Sequence, residues 1–222
     1  MGVLDGRVAC ITGGSRGIGR GIAEAFLREG AHVVITGRDP AKAQRTLDEL
    51  GAGDAAHFVQ GDVTKRDDCE GAIAATVEHF GKIDILVPNA GGGTDYAPVA
   101  QLTDESMAFG LTYNFWHTFW TMRAAFGHMI PQGFGRVMAI SSVEGKVGKP
   151  GISPYVVTAL ACTSSTSPTS SGSVPGRACL PSALWGSGAC SSWYWIGVHP
   201  DQVPSVRVRT MTLIWSSASW VP

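Results

Sequence analysis

The stretch TGGSRGIG (12–19) sets three glycines at G-x-x-x-G-x-G spacing. It lies between an apolar run and a helical pattern. Gly13 permits a tight turn, Gly17 lets backbone approach a pyrophosphate, and Gly19 lets a helix pack close to a sheet. Free N–H groups and the positive dipole end at a helix start favour phosphate there. The spacing is not the commoner G-x-G-x-x-G, so placement carries the argument: the cluster follows a strand and opens a helix. That placement predicts dinucleotide binding, with Gly13, Ser15, Arg16, Gly17, Ile18 and Gly19 as candidate contacts. The end of the second apolar run selects the cofactor. A carboxylate there would bind the ribose 2′-hydroxyl of NAD. The sequence ITGRDP instead puts Gly37 at that place and Arg38 next. Arg16 and Arg38 suit a 2′-phosphate. NADP(H) is therefore favoured over NAD(H), while Asp39 close by keeps the NAD reading open.

These residues need elements to hold them, and the periodicity supplies them. Short β-rich runs at 7–12, 32–36, 56–60, 83–88 and 135–141 alternate with helical patterns at 17–30, 39–50, 64–80 and 103–130. Asp39 and Pro40 read as the cap and first position of the second helix, and Thr64 as the cap of the third. Strands alternating with helices imply right-handed crossovers. The fold class is α/β: a Rossmann-like, doubly wound parallel sheet in a single domain over 1–158. Phe109, Tyr113, Trp116 and Trp120 share one face of the long helix, which reads as core or subunit contact. His117 has no acidic or cysteine partner at ligand spacing and reads as structural, so no metal site is expected.

Composition narrows the partners. Net charge is −1 and charged content 16%, which gives no basic excess for nucleic acid. No run approaches the ~18 apolar residues of a membrane span. The N-terminus lacks the basic flank and cleavage site of a signal peptide. Cys10, Cys69, Cys162, Cys179 and Cys190 are odd in number without C-x-x-C spacing, so reduced thiols and a cytoplasmic location are expected.

Several motifs in order make residues 5–158 resemble the short-chain dehydrogenase/reductase family. TGGSRGIG is similar to that family's cofactor loop. GDV (61–63) resembles its adenine-contacting turn and implicates Asp62 and Val63. PNAGG (88–92) resembles N-N-A-G, with Pro88 replacing the first asparagine and Asn89, Ala90 and Gly91 retained. Asn114 falls where the family keeps an asparagine in the long helix. Ser142 in AISSVEG matches its catalytic serine, and Tyr155 its catalytic tyrosine. The resemblance implies hydride transfer between nicotinamide and a small-molecule ketone or secondary alcohol. Tyr155 would be the acid/base, Ser142 the donor that holds the substrate oxygen, and Asn114 the holder of a relay water. A 3-oxoacyl thioester, or a steroid, cyclic or other small alcohol, is the implied substrate. The family's usual homo-oligomer uses the long helix and the tyrosine helix.

The family pattern is Y-x-x-x-K, and here Ala159 stands in place of the lysine. An ammonium one helical turn from the phenol would lower its pKa from about 10. Lys146 and Lys149 are the nearest lysines upstream, and none follows. Residues 159–222 read as an unassignable, irregular tail. Only Arg177, Asp201, Arg207 and Arg209 carry formal charge there, and five of the seven tryptophans crowd in. WYWIGV and VRVRTMTLIW read as isolated strands, and VPGRACL has the letters of a family P-G element without its strand. A reading-frame shift near codon 158 explains these features together, and leaves an impaired cofactor-binding remnant as the alternative to an active enzyme. With no sixth strand recognisable, the fifth is expected to be an unpaired edge.

Overall fold

The computed structural model describes residues 2–164 and the strand 209–213. The first crossover runs from β1 (Val8–Ile11) through α1 (Gly17–Arg28) to β2 (His32–Gly37). α2 (Pro40–Leu50) follows, and the Asp39 side chain accepts the Lys42 N–H as predicted. β3 (Ala56–Gln60), α3 (Arg66–Phe80) and β4 (Ile85–Val87) continue the alternation. The expected cap of α3 is corrected. Its N-cap is Lys65, without a side-chain bond, while the Thr64 hydroxyl donates to Asp62 Oδ1 at 2.9 Å. The nearby carboxylate draws that hydroxyl away from the helix.

The long helix predicted over 103–130 is interrupted. α4 (Asp104–Leu111), capped by Thr103, leads into a π-helical turn, Thr112–Trp116, and then α5 (His117–Met129). Such a turn inserts a residue into the helical ladder and re-aims the side chains on it. β5 (Arg136–Ser142) and α6 (Ser153–Ser164) complete the run.

All strand pairs are parallel, in the order β3-β2-β1-β4-β5-β6. β6 (Arg209–Leu213) corrects the expected edge: it pairs with β5 from Met138↔Arg209 to Ser142↔Leu213. Its alternating apolar and polar residues lie within VRVRTMTLIW, which forms a sheet strand rather than an isolated one. WYWIGV, VPGRACL, Cys179 and Cys190 lie outside the described residues.

The central strands bury both faces, so they read as apolar runs. On one side Ile11, Val33, Ile35 and Val87 pack with Ile22 and Ala23 of α1. On the other, Cys10, Val34 and Leu86 pack with Ile73 of α3 and Ala125 and Met129 of α5. Asp84 is buried beside this core, where its carboxylate accepts the Val8 N–H at 3.0 Å and pairs with Arg7 and Lys82. This lock fixes the start of β1 against β4. Both strands then deliver their C-terminal ends to one edge of the sheet, where ligands of open α/β sheets bind.

Candidate functional site

At the C-terminal end of β1 the chain turns through Gly13, whose φ is +66°, a conformation that favours glycine. Gly17, with φ +54°, opens α1, and a Cβ there would meet nothing within 4 Å. The N-cap residue Arg16 makes no side-chain bond to the first turn. The start of α1 has no side-chain cap and the space beside Gly17 is open, which fits a pyrophosphate. Gly19 answers a different need from the one expected. A Cβ there would fall 2.5 Å from Asn89 Nδ2 and 2.5 Å from the Gly13 carbonyl. The glycine lets the helix approach its own loop rather than the sheet.

Asn89 holds that loop. Its Nδ2 donates to the Thr12 and Gly13 carbonyls at 2.9 and 3.4 Å, and its N–H to Thr12 Oγ1 at 2.9 Å. The Ala90 N–H donates to the same hydroxyl at 3.0 Å. Thr12 is therefore a site residue that the sequence reading missed; its only signal was its place at the head of TGGSRGIG. Gly91 and Gly92 continue the turn onto Asn114, whose Oδ1 accepts the Gly92 N–H at 2.8 Å. Asn114 Nδ2 donates to the Gly110 carbonyl at 3.0 Å, so the buried amide ties the π-turn to the β4 loop. The Asn114 carbonyl accepts the Thr118 hydroxyl at 3.2 Å and faces the Cys162 thiol at 3.8 Å.

At the end of β2, a Cβ on Gly37 would stand 3.3 Å from Ser15 Oγ. Ser15 thus lies against Gly37, the position where an acidic residue is absent, and Arg38 follows it in the chain. The Asp39 carboxylate, which blurred the cofactor choice, is engaged in its own helix: Oδ1 caps Lys42 and Oδ2 pairs with Lys42 Nζ at 3.3 Å. Asp62 closes the turn after β3. Burial pushes its carboxyl up, but the Thr64 bonds and the Arg38 and Lys65 charges outweigh this and hold it below its ordinary value. The Val63 carbonyl accepts the Cys69 thiol at 3.4 Å and is fixed by it.

Ser142 ends β5, and Tyr155 lies in the first turn of α6. α6 packs on the end of β5 and on the turn after it, which sets the Ser142 hydroxyl close enough to act on the phenol. The Ser142 hydroxyl also donates to the Glu144 carboxylate. Tyr155 is partly buried, and its pKa is raised. Burial is the main cause, the Ser142 bond works against it, and the Glu144 charge adds to it. Ala159 is 5% exposed, one turn beyond Tyr155, and its carbonyl accepts the Ser141 hydroxyl at 3.1 Å. α6 continues through it to Ser164 without a break. Lys146 and Lys149 lie exposed on the loop before α6. Glu144 is the second residue the sequence reading missed, though it stands only two positions after Ser142.

The aromatic stripe does not fill the core. Phe109 and Trp116 are exposed, and stack on Tyr113 and Trp120 at 5.8 and 6.1 Å between ring centroids. His117, read from the sequence as structural, is buried. Among the described residues no cluster of three metal-ligating side chains occurs, and no helix is long and apolar enough to cross a membrane.

A family profile described as "short chain dehydrogenase" matches residues 7–169. Bovine L-fucose dehydrogenase is 36% identical over 165 residues, covering 72% of this chain and 58% of that protein. Sorbitol dehydrogenase of Cereibacter sphaeroides is 37% identical, covering 73% and 63% respectively. Gluconate 5-dehydrogenase of Gluconobacter oxydans is 35% identical, covering 70% and 60%. The chain spans about three-fifths of the length of these relatives.

Proposed function

Because the chain belongs to the short chain dehydrogenase family, we propose that it is an oxidoreductase moving a hydride between NADP(H) and a secondary alcohol or its ketone. The observation that carries this reading is the placement of Ser142 at the C-terminal end of β5 and of Tyr155 at the start of the α6 packed on it, on the same sheet edge as the glycine loop. The relatives' names point to sugars and polyols. We assign that substrate class ahead of acyl thioesters and steroids.

The residues present fit the cofactor. The α1 N-terminus would hold the pyrophosphate, and Ser15, Arg16 and Arg38 the 2′-phosphate. Asp62 and Val63 would meet the adenine, while Asn89, Ala90 and Gly91 would line the path to the reacting end. When bound, the nicotinamide supplies or accepts the hydride. Tyr155 gives a proton to the substrate oxygen during reduction, or takes one during oxidation. Ser142 holds that oxygen, and Asn114 keeps the turn in place.

Ala159 favours a second reading, an impaired cofactor-binding remnant. A buried methyl neither lowers the phenol's pKa nor binds a ribose. Both readings meet in one comparison. Purified chain should bind NADPH, measured by fluorescence, and turn over a polyol slowly. Ala159→Lys should raise kcat by about 100-fold or more, within the range of acid–base catalysis. Tyr155→Phe should abolish turnover and leave binding intact. Equal rates in the unsubstituted chain and in Ala159→Lys would overturn the role given to position 159.

A further inference from the structure

The sheet edge opposite the glycine loop carries charge that the reading above does not use. Arg7 stands just before β1, Lys82 just before β4, and Arg136 is the first residue of β5. One buried carboxylate, Asp84, pairs with Arg7 at 3.1 Å and Lys82 at 2.9 Å. The Arg136 N–H donates to the Asp84 carbonyl at 2.9 Å, which places a third cation in the same cluster. The Arg7 and Arg136 guanidiniums lie against one ring, 4.0 and 4.7 Å from the centroid of Phe134. Among the described residues the Arg136 side chain forms no ion pair, and its hydrogen bond runs from Nη1 to the Gly135 carbonyl at 2.9 Å. The loop beneath is fixed. Gln132 Nε2 donates to the Ile83 and Phe134 carbonyls, each at 2.6 Å, and the Phe134 N–H to the Met129 carbonyl at 3.2 Å. A Cβ on Gly135 would stand 2.6 Å from Met129 Sδ. A guanidinium stacked on a ring held this way has little freedom left to lose on binding a ligand.

We propose that Arg136, held on the Phe134 ring beside Arg7, binds a phosphate group at the N-terminal edge of the sheet, away from the proposed cofactor site. The guanidinium offers five N–H donors in a fork that matches phosphate oxygens, and most of them are unused here. Arg136 is half-buried, so it has given up water without gaining a counter-charge. Its pKa is held below the ordinary value, first by burial and then by the charge of Arg7. A bound anion relieves both penalties. Charge selects which anion. Arg7, Lys82 and Arg136 stand against Asp84 alone within this cluster. A phosphomonoester carries about −1.5 to −2 at pH 7, which balances that excess better than a carboxylate does. The ring stack does not by itself require Arg136. Arg7 lies closer to the ring and is already paired with Asp84. Phosphate bound there ties the start of β5 to the start of β1.

The test titrates the full 222-residue chain, labelled with 15N, with inorganic phosphate and separately with chloride at equal ionic strength. The backbone amides of Phe134–Arg136 should shift saturably with phosphate and stay still with chloride. Those of Gly17–Gly19 report phosphate taken by the start of α1, so the two sites are read apart. Arg136→Gln should weaken phosphate at 134–136 about tenfold or more and leave its effect at 17–19 unchanged. Arg136→Lys keeps the charge without the fork and should fall between the two. An arginine that only supports the fold would lower Tm equally with and without phosphate. Here the rise in Tm that phosphate brings should be smaller in Arg136→Gln than in the unsubstituted chain. Phenyl phosphate identifies the source: tighter binding than inorganic phosphate at the same amides assigns a phosphorylated metabolite, and weaker or equal binding assigns free phosphate. Both results support the site. Should Arg136→Gln not fold, the unsubstituted chain and Arg136→Lys still decide. Equal shifts with chloride and phosphate, or an Arg136→Lys that binds phosphate as the unsubstituted chain does, overturn the proposal.

Discussion

In the proposed reading Gly37 and Arg38 select the dinucleotide, through what the first lacks and the second carries. A carboxylate at 37 would repel a 2′-phosphate, and its Cβ would press on Ser15 Oγ at 3.3 Å. Asp39, which follows Arg38, has its carboxyl held below the ordinary value, first by the Lys42 N–H and then by the Lys42 side chain. It stays with its helix. A hydrogen bond to a charged group contributes about 1.5–3 kcal/mol. Arg38→Ala should therefore weaken NADPH about 10- to 100-fold and leave NADH nearly unchanged, with Gly37→Asp moving preference further toward NADH. Fluorescence titration of both cofactors checks this, and equal losses for the two would refute the assignment. At this scale the sequence was most informative where a side chain is forbidden. Gly13 and Gly19 are glycines because of φ and close approach, and motif spacing encodes both. Thr12 was not legible, because its role depends on amides 77 and 78 positions away. Glu144 was close enough to see, but its bond to Ser142 appears only once the turn after β5 is in place.

Element boundaries followed periodicity wherever burial alone sets them. The five strands and the first three helices lie within a few residues of the apolar runs that predict them. The long helix failed that test for a local reason. Asn114 is pulled toward Gly92, and a Cβ at Gly110 would stand 2.7 Å from Pro154 Cβ, so α4 is pressed by α6 while its successor packs on α3. A periodicity argument sees none of those contacts. The π-turn hands directly to His117, the first residue of α5, which is fully enclosed. Burial pushes its pKa down to about 4, against a weaker upward pull from the Tyr113 carbonyl. The folded imidazole is therefore neutral where an unfolded one, at about 6.5, begins to take a proton. Protons then favour the unfolded chain, so stability declines as pH falls from about 6.5 to about 4. The shift corresponds to about 3 kcal/mol at the low end. Urea unfolding at pH 7, 5.5 and 4 should show this decline, and His117→Leu should flatten it. An unchanged slope in the variant would remove His117 as its source.

Across the whole molecule, the six-stranded order brings Gly13, Asn89 and Ser142 to one sheet edge, and this was legible from the alternation of strands and helices alone. The part not legible was β6. A five-residue strand separated from α6 by 44 positions has no local signal strong enough to distinguish it from an isolated run. The fold also shows why α6 accommodates an alanine at position 159. Ala159 and Cys162 are small, apolar and buried, so α6 accepts them and runs on to Ser164. A helix face tolerates that exchange, while a proton site built around an ammonium does not. From residue 159 onward only four of the 64 residues are charged, and the family profile ends at 169. Loss of charge, loss of the lysine and loss of resemblance within a dozen residues are most simply produced by one event in the gene, a shift of reading frame near codon 158. The coding DNA should therefore contain, in one of its other two frames, a continuation that places lysine at 159 and restores charged, alternating helix and strand patterns behind it. If both frames lack that lysine, the shift of frame is refuted and residues 159–222 are the gene's own.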